Sequence, residues 1–218
     1  MKSINIFDYH FYIINLEKDV DRKIHILSQL RNLGIDENNI TFIKGVIPDR
    51  ETSLLNGYKR IGIAGCAFSH FNALKRVYDD SKINHIILED DCSFSNDFIV
   101  KFSQYIDLIK EVKFDAIFFR RPYNLNPSCV INNSYVFNNN GQKRVWAECY
   151  SLDFNFLEKI ANNKDYFVNG LPADIWFHKN ASIVNPLTNL VAQNKAFKSN
   201  ISRRKINYKK EIEEKYFN

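Results

Sequence analysis

The sequence predicts an α/β fold, a mostly parallel sheet flanked by helices, and three observations lead there. Short apolar runs alternate with stretches of helical period along the chain. Residues 11–16, FYIINL, form a near-continuous apolar run, as a strand covered on both faces must. A second such run, His85-Ile86-Ile87-Leu88, passes directly into Glu89-Asp90-Asp91.

Each element can be justified in turn. After the first strand the period changes: Ile24, Leu27, Leu30 and Leu33 recur every third residue, with Asp19 and Asp21 ahead of them and Gly34 just beyond. Acid at the start and glycine past the end are helix punctuation, and the four apolar residues are the expected core face. Residues 40–46 read as a second strand, and the polar, proline-containing stretch up to Arg60 reads as a loop. Ala64, Ala67, Phe68, Phe71, Leu74, Val77 and Tyr78 then line one side of a helix that also carries Ser69 and His70. Phe98, Ile99, Phe102, Tyr105, Ile106 and Ile109 give another amphipathic helix, and 115–119 another strand. The stretch 120–142 is rich in Asn and Pro without a period and is expected to be a long loop. Regular structure resumes over 144–152, followed by a helix near 153–160 and a helix start at Pro172. The order β-α-β-loop-α-β-α-β favours parallel strands joined by right-handed crossovers.

With 218 residues and 45% hydrophobic content, the chain can bury one substantial core, so one domain over 1–196 and a short tail are expected. A net charge of +5 suits an anionic ligand. The basic excess is too slight to imply nucleic acid as a partner, and none is expected. The 4 cysteines are scattered, with no CxxC pair and no His read at metal-ligand spacing, and are expected to be reduced thiols. Asp8 and His10 interrupt the N-terminal stretch where a signal peptide needs an apolar run, and no uncharged run reaches membrane-spanning length. A cytoplasmic location is therefore expected.

Chemistry concentrates at Glu89-Asp90-Asp91. In open α/β sheets ligands bind beyond the carboxyl ends of the strands, where this triplet falls. Three adjacent carboxylates repel one another unless water or a cation offsets their charge. Oxygen ligands favour Mg²⁺ or Mn²⁺, and such an ion can bridge the phosphates of a nucleoside diphosphate. Taken alone, the tripeptide fits a solvated acidic turn better than a metal site. The chain contains neither GxxxxGK[ST] nor GxGxxG and has only 7 glycines, so phosphate recognition would fall to a metal and basic side chains.

Four separated blocks carry a resemblance to a known family. They are Ile14-Asn15-Leu16 with Arg22; Gly65-Cys66-Ala67-Phe68-Ser69-His70; Leu88-Glu89-Asp90-Asp91; and Pro172-Ala173-Asp174 with Asn185-Pro186 and Gln193 behind it. Their order and spacing resemble glycosyltransferase family 25, which contains lipooligosaccharide galactosyltransferases and collagen galactosyltransferase domains. One departure is Gly62-Ile63-Ala64-Gly65-Cys66, where the family carries Gly-Glu-Ile-Gly-Cys. The resemblance implies a GT-A fold, a UDP-hexose donor (galactose or glucose), inversion at the anomeric carbon, and a glycan or glycolipid acceptor in surface-glycan synthesis.

The resemblance implies a role for each block. Asp91 is the expected direct metal ligand, with Asp90 and Glu89 at the metal shell or the ribose. Asn15, Leu16 and Arg22 follow the first strand where the nucleotide should lie; otherwise Arg22 is a solvated first-turn residue. Ser69 and His70 are either donor contacts or a polar pair facing the core. Asp174 is the candidate base for the acceptor hydroxyl, or a helix-capping aspartate. His178, one turn further on, is a candidate metal ligand, or structural. The tail 197–218 mixes lysine and arginine with aromatic and aliphatic residues, and it is either a solvated terminal helix or a peripheral contact with an anionic membrane. Two other classes use the same residues: a metal-dependent nucleotidyltransferase, and an inactive glycan-binding paralogue.

Overall fold

The computed structural model describes residues 5–121, 130–131, 135–139 and 147–197. The basic tail, from residue 198 onward, lies outside the described residues. In chain order the elements are β1 (His10–Asn15), α1 (Val20–Asn32), β2 (Ile40–Lys44), α2 (Arg50–Leu55), α3 (Ile61–Asp79), β3 (His85–Glu89), β4 (Cys92–Phe94), α4 (Phe98–Ile109) and β5 (Ala116–Phe118). They continue with β6 (Val130–Ile131), β7 (Tyr135–Asn139), β8 (Cys149–Leu152), α5 (Phe154–Ala161), α6 (Lys164–Phe167), α7 (Ala173–Asn180), β9 (Ser182–Pro186) and β10 (Val191–Gln193).

The main sheet has the order β2-β1-β3-β8-β5-β9-β7-β6. Parallel pairing joins β1 to β2, β1 to β3 and β5 to β9, and β8 runs antiparallel between β3 and β5. The central strands are therefore mostly parallel with helices on both faces, the expected α/β class.

Why the apolar runs are continuous is visible in β1. Tyr12 and Ile14 face one core, shared with α3, α5 and α7, while Phe11 and Ile13 face the other, shared with α1 and α4. Both faces are dry there, so the four positions between His10 and Asn15 are all apolar or aromatic. In β3, Ile87 joins the first core and Ile86 and Leu88 the second.

The topology also places the site. From β1 the chain moves to β2 through α1, then returns past β1 to β3 through α3, and these two helices lie on opposite faces of the sheet. Strand order thus reverses between β1 and β3, and a crevice opens beyond their carboxyl ends. Leu16 and Glu89 to Asp91 occupy that position.

Several expectations need correction. The first helix exists, but its buried residues are Arg22, Ile26 and Leu30, and Ile24 is 61% exposed. The helix is rotated so that Arg22, counted as polar in the pattern, faces inward. The proline-containing stretch before Arg60 contains α2, started by Asp49, whose carboxylate accepts from the Thr52 amide at 2.7 Å. The long loop over 120–142 contains β6 and β7, and β7 pairs antiparallel with β9 from Tyr135↔Pro186 to Asn139↔Ser182. The strands β9, β4 and β10 carried no clear sequence signal.

Between β3 and β8, His85 is fully buried, and its partners dictate its tautomer. Nδ1 lies 2.9 Å from the Lys82 carbonyl and must donate, while Nε2 accepts from the Leu152 amide at 3.2 Å. A proton on Nε2 would face that N–H, and burial lowers the pKa to about 4. The unfolded ring takes a proton near 6.5, so the stability it contributes is full above that pH and is lost as pH falls towards 4. At pH 5 the loss should be ~2 kcal/mol. Urea unfolding at pH 7 and pH 5 checks this: His85→Gln should be weaker at pH 7 yet lose less on acidification, and equal losses would contradict it.

Candidate active site

At the switch point the carboxyl ends of β1 and β3 and the start of α3 surround a cavity of about 260 Å³. Its wall includes Leu16, Arg22, Ser69, His70, Glu89, Asp90 and Asp91, all singled out from the sequence. Asn15 stands directly behind them.

The acidic triplet is neither a solvated turn nor a set of equivalent groups. Asp90 is 5% exposed and accepts from Asn15 Nδ2 at 2.7 Å and from Arg22 NH1 at 2.9 Å. Asp91 is 2% exposed; its Oδ2 accepts from Arg22 NH1 at 3.2 Å and from Gln193 Nε2 at 2.9 Å. Its other oxygen, Oδ1, is buried with no hydrogen-bond partner among the described residues. Burial, followed by the charge of Glu89, raises the Asp91 pKa to about 6. Burial also raises Asp90, against the opposing contacts of Arg22 and Asn15. A buried carboxylate oxygen without a donor fits a position where a cation completes the coordination, and an oxygen-only donor set suits Mn²⁺ or Mg²⁺.

Arg22 is therefore not a solvated helix residue. Its NH1 bridges Asp90 and Asp91, and Phe197 covers the guanidinium at 5.4 Å. Ser69 is also committed. Its hydroxyl donates to the Gly65 carbonyl at 2.6 Å and accepts from the Val46 amide at 2.8 Å, tying the segment after β2 to α3. The approach is close enough that a Cβ on Gly65 would lie 2.5 Å from the Val46 carbonyl oxygen, which requires glycine there.

His70 is buried, with Nδ1 2.9 Å from the Tyr150 hydroxyl and Nε2 3.1 Å from Glu89 Oε1. Cys66 Sγ also reaches Glu89 Oε1, at 3.9 Å. Contrary to the expectation that no His stands at ligand spacing from a cysteine, α3 places Cys66 and His70 one turn apart on the same side.

Asp174 lies in the first turn of α7. Burial, then the charge of Glu89, raises its pKa, and its Oδ1 accepts the Ile175 amide at 2.8 Å. It does not act as the N-cap, a place held by Pro172. His178 is buried on the same helix, and burial lowers its pKa to about 4. Neither belongs to the cavity wall.

Sequence reasoning gave no role to several groups here. Lys18 lines the cavity as a second cation beside Arg22, and Gly45, Val46 and Ile47 form its wall on the β2 side. Gln193 reaches Asp91 because β10 pairs with β4 in the register Gln193↔Cys92. Glu148 is 4% exposed, ion-paired with Arg120, and raised to about 7 by burial against that pairing. Its backbone carbonyl accepts the Glu89 amide at 2.8 Å, which explains its place beside the triplet.

Comparison with known proteins bears on this geometry. A family model described as glycosyltransferase family 25 (LPS biosynthesis protein) matches residues 8–148. A protein of Anopheles gambiae named as a glycosyltransferase 25 family member is 30% identical over 99 residues, which cover 39% of this chain and 17% of that protein. The chain thus matches a small part of this relative's length.

Proposed function

Because the chain belongs to glycosyltransferase family 25, we propose that it transfers a hexose, galactose or glucose, from a UDP-sugar to a hydroxyl of a glycan or glycolipid in surface-glycan synthesis, with inversion. The observation that carries this reading is Asp91, a buried carboxylate at the switch-point cavity with one oxygen that has no partner among the described residues.

Mn²⁺ or Mg²⁺ would be held by Asp91, with Asp90 and Glu89 beside it, and would stabilise the departing diphosphate. The chain's own residues do the rest. Asn15 and Arg22 fix Asp90, and Arg22 and Gln193 fix one oxygen of Asp91, so the other is held in place before any ligand arrives. Lys18 adds a cation to the wall for a diphosphate. Leu16, Val46 and Ile47 provide apolar surface for a nucleoside. Asp174, outside the cavity wall but near enough to Glu89 for that charge to act on it, is the proposed base for the acceptor hydroxyl's proton, and burial with the Glu89 charge raises its pKa in the direction that favours accepting one. None of the described helices is long and apolar enough to cross a membrane.

Product analysis tests the reading. Incubation with UDP-galactose or UDP-glucose, Mn²⁺ and a panel of glycan acceptors should release UDP and yield a glycoside of inverted configuration. Pyrophosphate release from a nucleoside triphosphate would replace it with nucleotidyl transfer. UDP-sugar binding without turnover on any acceptor would replace it with a binding protein.

A further inference from the structure

Cys66 and His70, to which the proposed transfer gives no role, form with Glu89 of the acidic triplet a second group of ligating side chains. Cys66 and His70 stand one turn apart on α3, and Glu89 meets them from the end of β3. One ligand atom from each, a sulfur, a nitrogen and an oxygen, lie within 4.8 Å of one another. Observed separations are 3.1 Å from His70 Nε2 to Glu89 Oε1 and 3.9 Å from Cys66 Sγ to Glu89 Oε1. Around a tetrahedral zinc the corresponding separations are ~3.3 Å and ~3.6 Å. These two separations need adjustments of a few tenths of an ångström, and the sulfur–nitrogen separation, within 4.8 Å, must close towards ~3.6 Å.

The surroundings favour a cation as well. His70 Nδ1 is held by the fully buried Tyr150 hydroxyl, which fixes the ring with Nε2 aimed at Glu89, the outer-shell support that metal-binding imidazoles carry. Cys66, His70 and Glu89 all line the cavity, which gives an ion a path to them. Asp91 offers only oxygen to a hard cation, whereas a thiolate and an imidazole select a softer one.

We propose that Cys66, His70 and Glu89 form a binding site for a thiophilic divalent cation of the Zn²⁺ class, distinct from the oxygen site at Asp91. On binding, the sulfur–metal bond forms and the thiol proton leaves to solvent. Glu89 is common to this site and the acidic triplet, so occupation by such a cation draws Glu89 away from the triplet and counts against transfer. Binding itself does not rest on the transferase reading.

Cobalt(II) titration of the full chain, kept reduced with a phosphine, tests the site because a cobalt–thiolate bond has a near-ultraviolet charge-transfer band. Wild type and Asp91→Asn should both develop the band, saturating at a single equivalent and bleached by stoichiometric Zn²⁺. Cys66→Ser should lose it. No band in wild type, or an undiminished band in Cys66→Ser, overturns the proposal. Should Cys66→Ser fail to fold, alkylation of wild type answers the same question. Zn²⁺ should protect Cys66 from iodoacetamide by at least tenfold in rate, read by peptide mass, and an unchanged rate overturns the site.

Discussion

Replacing Asp91 with asparagine is expected to lower kcat/KM for hexose transfer by on the order of 10³-fold, ~4 kcal/mol of transition-state stabilisation, while leaving the fold at least as stable at pH 7. The two effects have one origin. Burial raises the Asp91 pKa to about 6 against an ordinary value of 3.8, so the native state holds the ionised carboxylate at a penalty that the unfolded chain does not bear. Asparagine keeps an oxygen acceptor for Arg22 and Gln193 and removes the buried charge. It also removes the unpartnered anionic oxygen that the proposed metal requires. Steady-state kinetics and thermal melting of the same preparation check both halves. A fully active variant would be falsifying for the function, and a melting temperature well below wild type would show that the carboxylate is structural.

Arg22 should behave in the opposite way. Arg22→Met removes the cation bridging Asp90 and Asp91 and leaves two buried carboxylates with weaker compensation, a change expected to cost about 3–5 kcal/mol. Adding Asp90→Asn to Arg22→Met should recover part of that loss, because one of the stranded charges disappears. The coupling between the two substitutions, measured by urea unfolding of the single and double variants, should exceed 1 kcal/mol on the usual scale for residues in contact. Strict additivity would mean that the ion pair contributes nothing and that Arg22 acts through packing alone.

These two residues also show how far the sequence could be read. The triplet was legible because it follows a run with only one structural solution, a strand covered on both faces. The switch point was legible because the order of apolar runs and periodic stretches leaves few topologies. The phase of α1 was not, since a hydrophobic pattern treats arginine as a surface residue, and Arg22 is buried only because Asp90 and Asp91, far along the chain, neutralise it. Once Arg22 is counted as an inward residue, Arg22, Ile26 and Leu30 give the correct face at a spacing of four.

The contacts that complete the site were hidden for a related reason, even where the residue itself, Gln193, stood among those that carry the resemblance. Gln193 meets Asp91 across 102 positions of sequence, through a pairing of two three-residue strands too short to show a period. Glu148 reaches the triplet because β8 runs antiparallel beside β3, and a short run of four residues does not reveal its direction. Gly65 and Gly45 carry no chemistry of their own and matter only for what approaches them, Val46 and Leu16 respectively. Cys66 and His70 were separately visible, and the one-turn spacing that unites them needed only the helix to be taken literally.

The most direct test of the metal-and-donor site is the melting temperature of wild type and Asp91→Asn with a UDP-hexose, in the presence and absence of Mn²⁺. At a hundredfold excess over Kd, binding to the native state adds about 2.7 kcal/mol, or about 5–10 °C for a chain of this size. That rise should occur only when the nucleotide sugar, Mn²⁺ and Asp91 are all present. An equal rise without Mn²⁺, or in Asp91→Asn, would contradict a metal-mediated donor site at Asp91.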